Sequence, residues 1–220
     1  MQPVCLPWEM EVEERKLLDR IVEHPRPLQK GEYLYRAGDP LLGIYAVRSG
    51  LFKNHQPDGS ARDRVVGFGL PGELLGVDGI YSQRHGSAAV ALMESAVCVL
   101  PYTELAALLG RSERLRDQIL RLASRGAGPV IGAAARNGSS EWRVAAFLLD
   151  LALRNHAHGG SRSRFAFPIP EQDVANHLQL APQEAERIFA YFQGNGLIAR
   201  DKNDLCVLDE KRLGRIAGAD

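Results

Sequence analysis

The stretch that decides the fold runs from residue 165 to residue 208 and reads FAFPIPEQDVANHLQLAPQEAERIFAYFQGNGLIARDKNDLCVL. FAFPIP alternates like a strand that enters a turn, and EQDVANHL predicts a short helix. QLA is typical of a tight turn, and PQEAERIFAYFQGNG predicts a second helix that ends at glycine. LIARDKNDLCVL is typical of a hairpin. This order of elements predicts a winged helix-turn-helix.

Two helices that cross at a steep angle need apolar or small residues at fixed positions. The segment supplies them at Val174, Ala175, Leu178, Leu180, Ala185 and Ile188. Pro182 suits the first position of the second helix, where its missing N–H costs nothing. Gln179 stands at the turn position where glycine is usual, so it would have to adopt a costly left-handed conformation. An ordinary helical hairpin stays open as the alternative.

Upstream, residues 27–102 consist of short apolar runs separated by glycines, including an Asp58-Gly59 pair that suits a hairpin turn. Turn signals at this spacing predict an antiparallel β-barrel or jelly roll. Before it, residues 9–24 predict a short amphipathic helix with apolar residues on one side, namely Leu17, Leu18, Ile21 and Val22. The fold class expected is therefore α+β.

Between the two parts lie two helical patterns. The first starts at Ser112, a suitable N-cap, and continues through Leu115, Ile119 and Leu122 towards Pro129, which should kink or end it. The second runs from Ser140 to about Asn155. We expect three segments: a barrel with its N-terminal helix over 1–110, a connecting helix and hinge over 111–138, and the domain of the winged helix-turn-helix over 139–220.

Composition limits the possible classes. The 220 residues carry no net charge, and no apolar run is long enough to cross a membrane. The N-terminal sequence MQPVCLPWEM does not resemble a signal peptide, and three cysteines fit a reducing cytoplasm better than a disulfide scaffold. Residues 137–220 hold 10 basic and 11 acidic side chains. A prediction of DNA binding must therefore rest on the motif and not on charge.

Strings spread over nearly the whole chain resemble the Crp/Fnr family in the right order. KGEYLYRAGDPLLGIYAVRSG at 30–50 and GLPGELLG at 69–76 resemble the two barrel signatures, and the segment after Phe165 resembles the family's winged helix-turn-helix. CLPW at Cys5 and VCVLPY at 97–102 are most similar to the Fnr branch. The resemblance implies a cyclic-nucleotide-binding-like barrel and a transcription regulator, with RNA polymerase as a partner and no membrane association.

The resemblance also implies which residues meet the DNA. In the family the second helix of the motif enters the major groove, and a dimer reads two half-sites. The positions expected to face the bases are Gln183, Glu184, Glu186 and Arg187. A solvent-exposed acidic helix face is the alternative for the two glutamates. The homodimer is expected to pair through Leu115, Ile119 and Leu122.

The sensor chemistry of the family is only partly represented. Cyclic-nucleotide sensors use Gly-Glu and Arg-Ser pairs, whereas this chain has Gly76-Val77 and His85-Gly86-Ser87, with Arg84 nearby. A phosphate needs a well-placed cation, so we expect no cAMP. A conventional four-iron cluster needs four thiolates, and only Cys5, Cys98 and the remote Cys206 exist, so none is expected. Cys5 and Cys98 are candidate redox residues, and a buried core residue is the alternative for Cys98.

Enzymatic activity and metal binding have little support. The six histidines form no metal-binding motif, and His55 and His85 are isolated in the barrel. A cupin-like enzyme would need clustered histidines and a carboxylate. We therefore expect no enzyme, no metal and no resident cofactor. A rival hypothesis is a degenerate regulator without specific DNA binding that acts through protein contacts.

Overall fold

A computed structural model describes residues 12–23, 25–59, 63–126 and 138–218. The chain forms two compact units, residues 1–128 and 129–220, and each is described by itself. Pro129, which was expected to kink or end a helix, lies outside the described residues, as do Gly128 and Gly132.

The first unit is built on two antiparallel four-stranded sheets, with strand orders β1-β8-β3-β6 and β2-β7-β4-β5. The strands are β1 (Arg26–Leu28), β2 (Tyr33–Tyr35), β3 (Gly43–Ser49), β4 (Phe52–Gln56), β5 (Arg64–Gly69), β6 (Leu74–Leu75), β7 (Ala88–Ala91) and β8 (Ser95–Pro101). This architecture confirms the β-barrel or jelly roll that the glycine-punctuated runs predicted.

Two turns of the barrel require glycine. Gly59 has φ of +78° in the connection between the antiparallel strands β4 and β5, as the Asp58-Gly59 pair suggested. Gly50 has φ of +86° between β3 and β4, and a Cβ there would lie 2.0 Å from Ser95 Oγ. Both the backbone conformation and the space therefore exclude a larger residue at position 50.

Three helices pack with the barrel: α1 (Val12–Asp19), α2 (Tyr102–Arg111) and α3 (Glu113–Gly126). The Leu115 N–H donates to Ser112 Oγ over 3.2 Å, which confirms Ser112 as the cap of α3. Within the described residues α1 is shorter than the 9–24 expected, although Ile21 and Val22 still pack against the core after it ends.

The apolar face of α3 is directed at the barrel of its own chain. Leu115, Ile119 and Leu122 are 0%, 7% and 8% exposed and belong to one core cluster with Leu18 and Leu100. Their surface is therefore already covered within a single chain and is not open to a second one. If two α3 helices pair, they must use the opposite side, where Leu120 is 60% exposed.

The second unit begins with α4 (Ser140–Ala157), whose Trp142 N–H donates to Ser139 Oγ. It continues with β9 (Arg164–Ala166), α5 (Glu171–Leu178), α6 (Pro182–Gly194), β10 (Ile198–Asp201), β11 (Asp204–Val207) and α7 (Glu210–Ile216). The three strands form an antiparallel sheet of order β10-β11-β9. The winged helix-turn-helix is thus confirmed, and its core holds Phe147, Phe167 and Phe189 in ring contact.

Candidate nucleic-acid interface

The turn between α5 and α6 sets the angle at which the second helix leaves the first. Gln179 has φ of +57° and ψ of +47°, which is the left-handed conformation that the motif demanded of it. The Arg143 guanidinium on α4 donates to the carbonyl oxygens of Leu178, over 3.2 Å, and Gln179, over 3.5 Å. These are carbonyls that α5 leaves unpaired at its end, so Arg143 anchors the turn to α4.

A glycine at this turn should stabilise the second unit. A left-handed conformation costs a non-glycine residue about 1–2 kcal/mol, and glycine avoids this cost. Glycine also gives the unfolded chain more conformational entropy, which offsets part of the stabilisation. We expect Gln179→Gly to raise the free energy of unfolding by about 0.5–1 kcal/mol. Urea unfolding followed by Trp142 fluorescence in a Trp8→Phe background measures it. Gln193→Gly, in the exposed face of α6, is the control and should destabilise by about 1 kcal/mol; equal losses in both variants would contradict the prediction.

Helix α6 separates its apolar face from its polar face cleanly. Ala185, Ile188, Phe189 and Phe192 are buried, whereas Gln183, Glu186 and Arg187 are exposed and Glu184 is half-buried. All four residues expected to face DNA therefore lie on the first two turns, and three of them are open to solvent. The N-terminal part of α6 therefore presents to a partner one amide that both donates and accepts hydrogen bonds, one carboxylate that accepts them and one guanidinium that donates them.

Arg187 does not stand alone on this face. Its Nη2 donates to Glu141 Oε1, in the first turn of α4, over 3.0 Å. A hydrogen bond from the Glu141 backbone N–H and the hydrogen bond from Arg187 lower the pKa of Glu141 from its ordinary value, so the carboxylate stays ionised. Sequence reasoning missed Glu141 and Arg143, because their partners lie more than 30 residues away and only the tertiary fold brings them together.

Two further arginines of the second unit are also paired with carboxylates of the same unit. Arg200 on β10 binds Glu171 at the start of α5, and Arg164 on β9 binds Asp204 on β11 over 2.8 Å. Lys202, at the tip of the β10–β11 hairpin, is exposed and has φ of +44°. The second unit therefore has the geometry of a DNA-binding module but a sparse positive field, as its charge count indicated.

In the barrel, the His85-Gly86-Ser87 segment, which the resemblance compares with the Arg-Ser pair of cyclic-nucleotide sensors, contacts other residues of the same unit. The N–H and the hydroxyl of Ser87 both donate to Asp78 Oδ2 over 2.8 Å, and His85 stacks on Tyr35 with ring centroids 3.8 Å apart. Burial raises the pKa of Asp78, but the nearby His85 ring, whose Nδ1 lies 3.9 Å from Asp78 Oδ1, and the hydrogen bonds from Ser87 outweigh burial and leave that pKa lowered. Arg84 donates to the Gly38 carbonyl oxygen over 2.8 Å.

The predicted redox residues are only partly described. Cys98 lies on β8 in the barrel core and is 2% exposed, and Cys5 lies outside the described residues. Their redox role stays a prediction. Among the described residues, no cluster of histidine, cysteine or carboxylate side chains could hold a metal ion. No helix in the described ranges has the length and hydropathy to span a bilayer.

Comparison with known proteins gives this architecture a family. A cyclic nucleotide-binding domain model matches residues 25–112, and a Crp-like helix-turn-helix domain model matches residues 142–216. The transcriptional activator protein anr of Pseudomonas aeruginosa is 35% identical over 220 residues, covering 99% of this chain and 90% of that protein. The chain belongs to the Crp/Fnr family. The helix-turn-helix of residues 171–194 is therefore a Crp/Fnr DNA-binding motif, as the sequence predicted.

Other comparisons agree. The fumarate and nitrate reduction regulatory protein of Escherichia coli K12 is 34% identical and covers 98% of this chain and 87% of its own length. FixK2 from Bradyrhizobium japonicum shares the fold with a TM-score of 0.73 at 20% identity, over 88% of this chain and 96% of that one. The relatives from Pseudomonas aeruginosa and Escherichia coli are named as a transcriptional activator and a regulatory protein, and not as enzymes.

Proposed function

We propose that this Crp/Fnr protein binds a palindromic DNA site as a homodimer and activates transcription together with RNA polymerase in response to a cellular signal. One observation carries the proposal: Gln183, Glu186 and Arg187 are exposed together on the first two turns of α6, the helix that the family places in the major groove. Relatives named as transcriptional activators support the direction of control.

The three side chains differ in which base edges they suit. An arginine can donate two hydrogen bonds to the O6 and N7 atoms of guanine, and a glutamine can pair with the N6 and N7 atoms of adenine. A glutamate accepts a hydrogen bond from the cytosine amino group. We therefore expect the half-site to contain a guanine read by Arg187, an adenine next to Gln183 and a cytosine next to Glu186.

The rival hypothesis of a regulator without specific DNA binding has one feature in its favour. Arg164, Arg187 and Arg200 are all paired with carboxylates, so the charge of these three arginines is partly neutralised before any phosphate is bound. Selection of bound duplexes from a randomised pool distinguishes the two hypotheses. Enrichment of a palindrome supports the proposed function, whereas no enriched sequence under reducing or oxidising conditions supports the rival.

The test of the proposal is Arg187→Ala. Loss of a two-bond guanine contact should cost about 1–3 kcal/mol, or about 5- to 150-fold in affinity for the selected duplex, and relax the preference at one base pair per half-site. Fluorescence anisotropy on the selected duplex and on single-base variants measures both effects.

Arg162→Ala is the matched control, since Arg162 also pairs with a carboxylate, Glu210, but lies outside α6. It should leave the base preference unchanged. If Arg187→Ala and wild type bind with the same affinity and select the same sequence, Arg187 does not read DNA.

A further inference from the structure

The contact between Glu141 and Arg187 joins two elements at the face of the second unit that the proposed function assigns to DNA. Glu141 lies in the first turn of α4, and Arg187 lies one turn after Gln183 on α6. The two side chains are 46 positions apart in sequence and meet over 3.0 Å. Among the described residues, Glu141 is the only side chain that forms a hydrogen bond or an ion pair with Arg187.

The contact uses a small part of what Arg187 offers. The guanidinium carries five N–H donors in a planar fork, and Glu141 takes one of them at Nη2. The Arg187 side chain is still 63% exposed. Enough donors therefore remain to pair with a guanine edge while the carboxylate keeps its own hydrogen bond.

The carboxylate itself is held in place. Glu141 lies in the first turn of α4, next to its N-cap Ser139, where a negative charge is favourable, and its Oε1 accepts the 3.0 Å hydrogen bond from Arg187. An ionised group fixed on one helix can orient a flexible side chain on another, which removes part of the entropy cost of ordering that side chain on binding.

We infer that Glu141 is a positioning residue that sets DNA specificity through Arg187, an inference that rests on the proposed function. The carboxylate orients the guanidinium towards one base pair. It also neutralises the arginine charge, so that Arg187 contributes little to sequence-independent binding of phosphates. Glu141 thus lowers the affinity for random-sequence DNA and increases the preference for one base pair at the position that Arg187 contacts.

The test compares Glu141→Gln and Glu141→Ala with wild type on the selected duplex, on single-base variants of it and on a random-sequence duplex. The expected loss of preference at the Arg187 base pair is about three- to tenfold for alanine, and smaller for glutamine because the amide oxygen still accepts a hydrogen bond. Affinity for the random duplex should rise about two- to fivefold, and its log–log dependence on salt should steepen by about 0.9, since a freed arginine can neutralise one phosphate.

Two controls show whether the effect passes through Arg187. Glu210→Gln removes a first-turn carboxylate of α7 that also pairs with an arginine, Arg162, and it should change neither the base preference nor the salt dependence. In an Arg187→Ala background, Glu141→Ala should have no further effect on base preference. Thermal unfolding of each variant checks that the fold is retained.

The outcomes separate this inference from the proposed function. If wild type enriches no sequence, the proposed function fails and this inference fails with it. If wild type selects a palindrome and Glu141→Ala selects it with the same base preferences, only the role of Glu141 is overturned. An equal effect of Glu141→Ala with and without Arg187 would likewise overturn it.

Discussion

Leu115→Ala is expected to lower the free energy of unfolding of the first unit by about 2–5 kcal/mol. Leu115 is fully buried, and its side chain packs with Leu18 and Leu100 in a core shared by α3, α1 and the barrel. The substitution removes buried apolar surface and leaves a cavity that the surrounding side chains fill only in part. Chemical denaturation followed by far-ultraviolet circular dichroism measures the loss.

The same helix offers a matched control in Leu120→Ala. Leu120 is 60% exposed, so its truncation should change the stability of one chain by less than about 0.5 kcal/mol. If α3 pairs with its copy through this exposed side, Leu120→Ala should instead raise the dissociation constant of the dimer in sedimentation. A Leu115→Ala chain that is as stable as wild type, but no longer dimerises, would contradict the packing described above and restore Leu115 to the seam.

In α3 the sequence predicted an apolar face but not the surface that covers it. The spacing of Leu115, Ile119 and Leu122 identified an apolar face, and that face exists. The spacing of apolar residues does not show what covers the apolar face of a helix. The same spacing is expected whether the face packs against a barrel of the same chain or against a second chain. Dimerisation itself stays a prediction. If α3 takes part in it, the contact is expected on the exposed side of the helix that holds Leu120.

The helix-turn-helix was easier to predict because its constraints are local. The small Ala175, the N1 position of Pro182 and the left-handed turn at Gln179 all follow from residues within about 20 positions of one another. The contacts of Glu141 and Arg143 could not be predicted, since they depend on how α4 packs across the motif. A polar residue in the first turn of a helix is ordinarily a capping or dipole feature, and nothing in the sequence marks these two as partners of the turn and of α6.

Arg200→Ala is expected to have the largest effect of any charged residue in the second unit. Arg200 lies on β10, pairs with Glu171 at the start of α5, and places its guanidinium over the rings of Phe167 and Phe189, 5.3 Å and 4.9 Å from their centroids. The residue therefore ties the hairpin to the first helix of the motif and to the aromatic core. Truncation leaves a mostly buried carboxylate without its partner and removes cation–π contacts.

We expect the loss to be about 2–3 kcal/mol in urea unfolding followed by Trp142 fluorescence in a Trp8→Phe background. Arg200→Lys should recover only part of it, because an ammonium retains the charge but not the planar fork that stacks on the rings. Arg164→Ala is the matched control in the same sheet, since its pair with Asp204 is largely exposed, is screened by solvent and should contribute much less to stability. If the Arg200 and Arg164 variants are equally stable, the pair with Glu171 is an ordinary surface ion pair, and the hairpin is held to α5 by apolar packing alone.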